Sequence, residues 1–307
     1  MLRVIFLGTA AARPTVGRNV SALAVQREGE LLLFDCGEGT QRQMMRFGTG
    51  FAVRDIFFTH VHADHILGLT GLLRTMALQG WLEPVRLWAP ESCGPILRDA
   101  VNLGVERVAF DITVHELESG SGVSRDGYDI IPFANRHGTR SLGFALVEHE
   151  RLGRFHPEQA IALGVPEGPL FGKLHRGESV EVGGRVIDAS EVVSAPRPGR
   201  RVVISGDTRP CRATVEMALG ADLLIHDATF AEDEAERART TFHSTAKEAA
   251  DVAREAGARR LVLTHISARY SDDARVLERE ARMSFPHAVV AHDGMEIDVP
   301  LRDDDEG

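Results

Sequence analysis

Cysteine is scarce in this chain. Its 307 residues contain three, Cys36, Cys93 and Cys211, far apart and with no CxxC pair. That excludes a disulfide framework and a thiolate redox or structural zinc motif, and favours a reducing, cytoplasmic setting. Long apolar runs are also missing. Stretches such as 31–34 and 223–225 fall far short of the ~20 residues a membrane-spanning helix requires, so no membrane partner is expected. The opening MLRVIFLGTA has one Arg and a short apolar run that meets a glycine turn too soon for a secretory signal, and reads as a first strand. Internal repeats and low-complexity tracts are absent. Positive charge is in deficit: 35 Lys and Arg against 45 Asp and Glu leave −10, so any contact with nucleic acid must draw its positive charge from a local patch.

What is present is an ordinary globular composition, 43% hydrophobic and 26% charged, enough to build a packed core. The length fits one α/β domain with an insertion; two domains are not required. Strand-like runs at 2–7, 31–34, 56–58, 85–88, 130–131, 143–147, 202–204, 223–225, 261–263 and 289–290 alternate with helix-like segments at 38–47, 66–78, 92–102, 245–256 and 272–283. Ser244 stands where it could cap the fourth helix. The stretch 151–177 breaks the rhythm, with three prolines and five glycines around one helix-like run at 157–163. It carries four basic and two acidic residues, +2 against −12 for the remainder, the sign a phosphate contact needs. Residues 302–307 read as a frayed acidic tail.

The densest chemistry lies in Thr59-His60-Val61-His62-Ala63-Asp64-His65, between a strand and a helix. Open α/β sheets collect ligands at such strand ends. Residues two apart at a strand end point the same way, so His60 and His62 can share one ion, while Asp64 and His65 face a neighbouring position. Two metals fit better than one. Asp35, Asp207, His226-Asp227 and His265 also follow strands, and His137 is a looser candidate. This mixed nitrogen and oxygen set suits Zn²⁺ or Mn²⁺ and has too many imidazoles for Ca²⁺. Paired metals make hydrolysis the natural reaction class. His243, at a helix start, could give a proton to a leaving group if Asp227 orients it.

With LLFDCGEGTQRQ at 32–43, RHGTRSLGF at 136–144, SGDTRP at 205–210, IHDATF at 225–230, FHST at 242–245 and LTHISARY at 263–270, the chain resembles the metallo-β-lactamase superfamily and, within it, the ribonuclease Z family. The resemblance implies an α/β fold, the αββα sandwich of two mixed sheets flanked by helices, over residues 1–307, with 151–177 as an inserted flexible arm. It implies one zinc on His60, His62 and His137, a second on Asp64, His65 and His265, and Asp207 bridging both, with Mn²⁺ as the other candidate ion. Asp35 would brace the site from behind, Asp64 would help generate the attacking hydroxide, and His243, supported by Asp227, would protonate the departing ribose oxygen. The substrate would be precursor tRNA, cut to a free 3′ hydroxyl and a trailer with a 5′ phosphate. The span 153–174 resembles the arm with which the family grips tRNA. Substrate contacts are implied at Arg18, Asn19, Gly168, Pro169 and Arg269, with phosphate contacts also at Arg197, Arg200 and Arg201. A homodimer is implied, and no further protein partner.

Two positions depart from the family pattern. Asp227 stands where the HEAT motif has Glu, one methylene longer, which predicts an effect on rate milder than loss of activity, and Val16 stands where a substrate loop usually carries Lys. The metal residues alone equally allow a small-molecule phosphodiesterase or other hydrolase of the same fold; the arm decides for RNA. A non-enzymatic RNA binder with structural zinc would call for a thiolate cluster, which the sequence lacks.

Overall fold

The computed structural model describes residues 1–302 except Glu106; the expected tail beyond Arg302 lies outside the described residues. Sixteen strands are described: β1 (Leu2–Gly8), β2 (Ala22–Arg27), β3 (Glu30–Phe34), β4 (Val53–Phe57), β5 (Val85–Pro90), β6 (Ile112–Leu117), β7 (Val123–Arg125), β8 (Tyr128–Ala134), β9 (Leu142–Glu148), β10 (Val180–Val182), β11 (Arg185–Ile187), β12 (Arg201–Ile204), β13 (Leu223–Asp227), β14 (Leu261–Thr264), β15 (Ala288–Val290) and β16 (Glu296–Asp298). The helices are α1 (Thr40–Arg46), α2 (Ala63–Ile66), α3 (Leu69–Leu78), α4 (Gly94–Asn102), α5 (Pro157–Ala162), α6 (Pro169–His175), α7 (Arg212–Met217), α8 (Ala235–Thr240), α9 (Ala246–Glu255) and α10 (Arg275–Ser284). Among the described residues no helix is long and apolar enough to cross a membrane.

The chain divides into two compact units, Met1–Val147 with Arg201–Pro300, and Glu148–Arg200 with the chain from Leu301. The first contains two seven-stranded sheets in the orders β16-β1-β2-β3-β4-β5-β6 and β15-β14-β13-β12-β9-β8-β7. Strand β1 shows why they stack. Val4 and Phe6 join the apolar layer that also takes Phe34, Phe57, Phe144, Ile204 and Ile225 from both sheets, while Ile5 and Leu7 point to the layer holding Met44, Leu72 and Leu97 of α1, α3 and α4. A strand buried on both faces reads as the continuous apolar run seen in the sequence. On the far side of the second sheet, Val203, Leu224 and Leu263 meet the alanines of α9 and Leu277 of α10. The result is the expected αββα sandwich. Strand β16 closes the first sheet against β1, with Arg3 opposite Asp298.

Several boundaries differ from the sequence expectation, each for a visible reason. The helix expected over 66–78 is broken into α2 and α3 because Cys36 takes two backbone groups at the break: its N–H donates to His65 O (2.7 Å) and its carbonyl accepts from Gly68 N (2.9 Å). A β-carbon on Gly68 would come 2.0 Å from Gly37 O, so only glycine fits there. Helix α9 is capped by Thr245, whose hydroxyl accepts from Glu248 N in a capping box, and Ser244 instead donates to Thr208 O (2.6 Å).

The second unit holds the stretch read as an insertion, within wider limits. It contains α5, α6 and the β10–β11 hairpin around a small core of Ala160, Val165, Leu174, Val180, Ile187 and Val192. Arg200 and Glu148 form a buried bidentate pair, Nε to Oε2 at 2.6 Å and Nη2 to Oε1 at 2.7 Å.

Candidate metal centre

Strands β3 to β6 run parallel, as do β12 to β15, so their carboxyl ends gather at common edges. Asp35 follows β3, His60–His65 follow β4, Asp207 follows β12, Asp227 ends β13 and His265 follows β14. Because β9 runs antiparallel to β12, the segment that enters it brings His137 to the same edge. Asp35 (φ 58°) and His265 (φ 59°) both adopt the left-handed region, which turns the chain out of its strand at once; Asp and His tolerate it better than most residues. Gly206, at φ +62°, has no β-carbon to meet Thr59, and one there would lie 2.8 Å from that side chain.

Among the described residues, three groups of side chains that could hold a metal result. In the first, ligand atoms of His60, His62, His137 and Asp207 all lie within 4.8 Å of one another; in the second, those of Asp64, His65 and His265 do; in a third, which shares Asp207 and His265 with them, those of Asp207, Asp227, His243 and His265 do. His60 Nε2 is 2.9 Å from His62 Nδ1, which is 3.4 Å from His137 Nε2. Zinc–nitrogen bonds of ~2.0–2.1 Å in tetrahedral geometry put ligand atoms about 3.3 Å apart. Oδ2 of Asp207 stands between the groups, 3.7 Å from His60 Nε2, 3.4 Å from His65 Nε2 and 3.3 Å from His265 Nε2. Asp64 Oδ2 lies 3.6 Å from His65 Nε2 and 3.4 Å from His265 Nε2.

The rings are held from behind in one pattern. His65 Nδ1 donates to Asp35 Oδ2 (2.8 Å) and His137 Nδ1 to Phe242 O (3.1 Å), since a carboxylate and a carbonyl can only accept. Thr59 Oγ1 donates to Asp35 and Thr229 Oγ1 to Asp227, so these hydroxyl oxygens accept from Nδ1 of His60 and His265, each at 3.0 Å. Four rings are therefore bonded through Nδ1 and turn Nε2 inward, the nitrogen that ligates a cation once it carries no proton. His65 Nε2 is buried with no hydrogen-bond partner, which a metal would satisfy. The donor set fits the ions that the sequence suggested.

Electrostatics reinforce the arrangement. Burial and the neighbouring His65 hold His60 well below the ordinary histidine value, so its ring is neutral. Burial opposes the charge on Asp207, but His265, His65 and His60 outweigh it and keep the carboxyl well below its usual range. At the side of the cluster, His243 Nδ1 lies 2.8 Å from Asp227 Oδ2. Burial alone would lower His243, yet the charge and hydrogen bond of Asp227, with Asp207 behind, raise it to about 9.

Other expected residues are placed differently. His226 is fully buried in β13 with Nδ1 bonded to Asp227 O (2.8 Å); side chains alternate along a strand, so Asp227 reaches the edge group and His226 does not. Arg18 is turned inward, donating to Thr9 Oγ1 (2.7 Å) and Ala291 O (2.5 Å), and Asn19 Nδ2 donates to Glu38 O (2.8 Å). Arg269 is half exposed and paired with Glu234 at 2.8 Å. Arg201 donates to Leu219 O, Arg197 to Leu152 O, and Arg200 is buried with Glu148 rather than presented to phosphate. Gly168 and Pro169 open α6 in the second unit.

Sequence reading missed four contributors. Thr59 and Thr229 carry the bridging hydroxyls described above. Arg209 donates to His243 O (2.7 Å) while pairing with Glu248, which ties the histidine's backbone to the α9 cap. Ala12 N–H donates to Asp64 Oδ2 at 2.8 Å. Thr59, Thr229 and Arg209 each lie one or two residues from a candidate ligand or its carboxylate partner, a signal that Ala12 lacks.

A family model for the beta-lactamase superfamily domain matches residues 176–266, and one described as anti-Pycsar protein Apyc1 matches residues 2–150. The chain is 60% identical to ribonuclease Z of Gemmatimonas aurantiaca over 306 residues, 99% of this chain and 98% of that one. It belongs to the ribonuclease Z family. Ribonuclease Z of Myxococcus xanthus is 55% identical over 305 residues, with 99% of each chain covered. Among solved structures, human short-form tRNase Z superposes with a TM-score of 0.71 at 28% identity, covering 97% of this chain and all of that one. The four layers are those of the metallo-β-lactamase fold, which ribonuclease Z chains share.

Proposed function

We propose that this member of the ribonuclease Z family is a metal-dependent endoribonuclease that removes the 3′ trailer from precursor tRNA. The observation that carries the reading is Asp207 Oδ2 standing 3.3–3.7 Å from three inward-facing histidine nitrogens between two ligand groups. His60, His62 and His137 would hold one Zn²⁺, Asp64, His65 and His265 a second, and Asp207 would bridge them, with Mn²⁺ as the other ion the donors accept. Two such ions would lower the pKa of a water and offset charge building on the phosphoryl group.

The protein's own groups supply the remainder. Asp64, which burial would raise, is kept ionised below the usual carboxylate range by its bond from His265 and by His65, and can accept a proton from the attacking water. His243 bonds to Asp227 through Nδ1, leaving Nε2 to give a proton to the departing ribose 3′ oxygen. The products are tRNA with a 3′ hydroxyl and a trailer with a 5′ phosphate. Family resemblance assigns the arm segment at 153–174 to the tRNA body and makes the working unit a cytoplasmic homodimer.

The test is incubation of the purified protein with a precursor tRNA carrying a 3′ trailer, with and without chelator, beside Asp64→Ala, followed by mapping of product ends. One metal-dependent cut that leaves a 3′ hydroxyl and is lost in the variant is the expected result. Hydrolysis of a small phosphodiester with no cut in the RNA, under Zn²⁺ or Mn²⁺, would overturn it.

A further inference from the structure

Phe242 immediately precedes His243, and its conformation is unusual. It sits at φ 61°, in the left-handed region that a bulky aromatic residue rarely enters. Strain of this kind persists only where surrounding contacts fix it. Here His243 N–H donates to Ala238 O (2.9 Å), and Phe242 O accepts from His137 Nδ1 (3.1 Å). The backbone is thus clamped to the first ligand group on one side and to α8 on the other. The ring gains little burial from this: Phe242 remains 41% exposed, in a chain whose other phenylalanines in the sandwich core are almost wholly enclosed.

Its neighbours locate the ring. A β-carbon on Gly138, next to His137, would lie 3.4 Å from Cδ2 of Phe242, so the ring edge rests beside a residue without a side chain, at the rim of the cluster. The His137 and His243 rings are 5.2 Å apart. An exposed aromatic ring beside Gly138, on a residue whose carbonyl bonds a candidate metal ligand and whose neighbour is the proposed proton donor, suits a flat, apolar group attached to the atom that receives the proton. In RNA that group is a base.

We propose that Phe242 is a base-binding residue that stacks on the nucleobase of the nucleotide whose 3′ oxygen departs. The proposal rests on the endoribonuclease reading above and extends it: the site recognises a nucleoside on the leaving-group side of the scissile phosphate. Stacking tolerates any base because each has a π-face, so Phe242 binds that position without selecting its identity. The backbone strain has a function on this reading, since it keeps the ring out of the core and ready for the substrate.

The test uses the full chain with its metals and two precursor tRNA transcripts with a 3′ trailer, one unmodified and one lacking the base at the nucleotide 5′ of the cut. Wild type is compared with Phe242→Leu, which keeps an apolar side chain without a π-face, and Phe242→Trp, which keeps the π-face. For the wild type, loss of the base raises KM about tenfold, the scale of one base–aromatic stack. Phe242→Leu raises KM on the unmodified RNA by a similar factor and shows almost no further rise on the abasic RNA. Phe242→Trp retains the wild-type pattern, and its indole fluorescence falls when the unmodified RNA binds. An undiminished abasic penalty in Phe242→Leu, with the wild type cutting the unmodified RNA, would overturn the stacking role alone. Failure of the wild type to cut the unmodified RNA would overturn the substrate reading and this role with it.

Discussion

Nδ1 of His243 stands 2.8 Å from Oδ2 of Asp227, although Asp227 is one methylene shorter than the Glu of the family's HEAT motif. The shorter arm reaches because its carboxylate is held at four points: Oδ2 also accepts from Thr208 N (3.1 Å), and Oδ1 accepts from Thr229 N (3.0 Å) and Thr229 Oγ1 (2.7 Å). Asp227→Asn should therefore keep the fold and lower kcat by about 10²-fold or more, the range general acids supply. Asp227→Glu should fail to improve the enzyme. The site is 1% exposed, and an added methylene in a packed site costs ~1–3 kcal/mol. Thermal melts and single-turnover cleavage check both.

If His243 is the proton donor proposed above, the same pair should set the alkaline limb of the reaction. The pKa of His243 is raised to about 9, so the protonated acid is present below that value and is lost as pH climbs through it. A kcat profile should stay level across neutral pH and fall above about 9. In Asp227→Asn the fall should move to lower pH, because the charge that raises His243 is gone. An unmoved limb would assign it to another group.

Chelation should cost stability as well as activity. Asp207 and Asp227 share one group of candidate ligand atoms and Asp64 belongs to a neighbouring one, and a ligand that binds only the folded state stabilises it by mass action, ~2.7 kcal/mol at a hundred times its Kd. Stripping the ions should lower Tm by several degrees, and Zn²⁺ should restore it. Asp207→Ala should retain fewer metals per chain, as elemental analysis would record.

Thr59 braces two rings through one carboxylate, since its hydroxyl donates to Asp35 at 2.9 Å and accepts from His60 at 3.0 Å. Thr59→Val keeps the shape and removes that link. Metal affinity should drop about 10- to 100-fold, the range for loss of such outer partners, and Thr59→Ser should recover most of it. Competition with a chromogenic chelator measures this directly.

Burial pushes the Cys36 thiol up to about 12, despite a hydrogen bond with Thr40 that works the other way. Only the thiolate is nucleophilic, so Cys36 should resist alkylation at pH 8 in the folded protein and react once denatured. Mass spectrometry after iodoacetamide treatment decides it.

The positions of the candidate ligands were legible because a parallel strand delivers whatever follows its last residue to a known edge. Asp35, His60, Asp207 and His265 each follow a strand that the apolar runs mark, and Asp227 closes one. His226 was misplaced by the same logic applied one residue too early, on the wrong side of the pleat. Contacts that depend on two distant segments left no trace. Arg18 spends its guanidinium on Ala291, and Arg209 reaches His243 O; neither pairing has a local pattern. Strands β2 and β6 were not read because small or half-buried residues blur their alternation. Helix α9 was legible, and its cap was off by one because Ser244 and Thr245 offer the same chemistry, with only Glu248 three residues on to separate them.

The closure of the first sheet by β16 has a consequence in time. Arg3 bonds to Glu296 (2.7 Å) and Asp298 (2.8 Å), partners 293 and 295 residues away. A ribosome adds ~5–20 residues per second, so the free side of β1 waits on the order of fifteen seconds to a minute for its neighbour to be made. The centre is bound by the same delay, since His265 arrives almost as late. The nascent chain therefore passes most of its synthesis with one side of β1 unpaired and its set of candidate ligands incomplete.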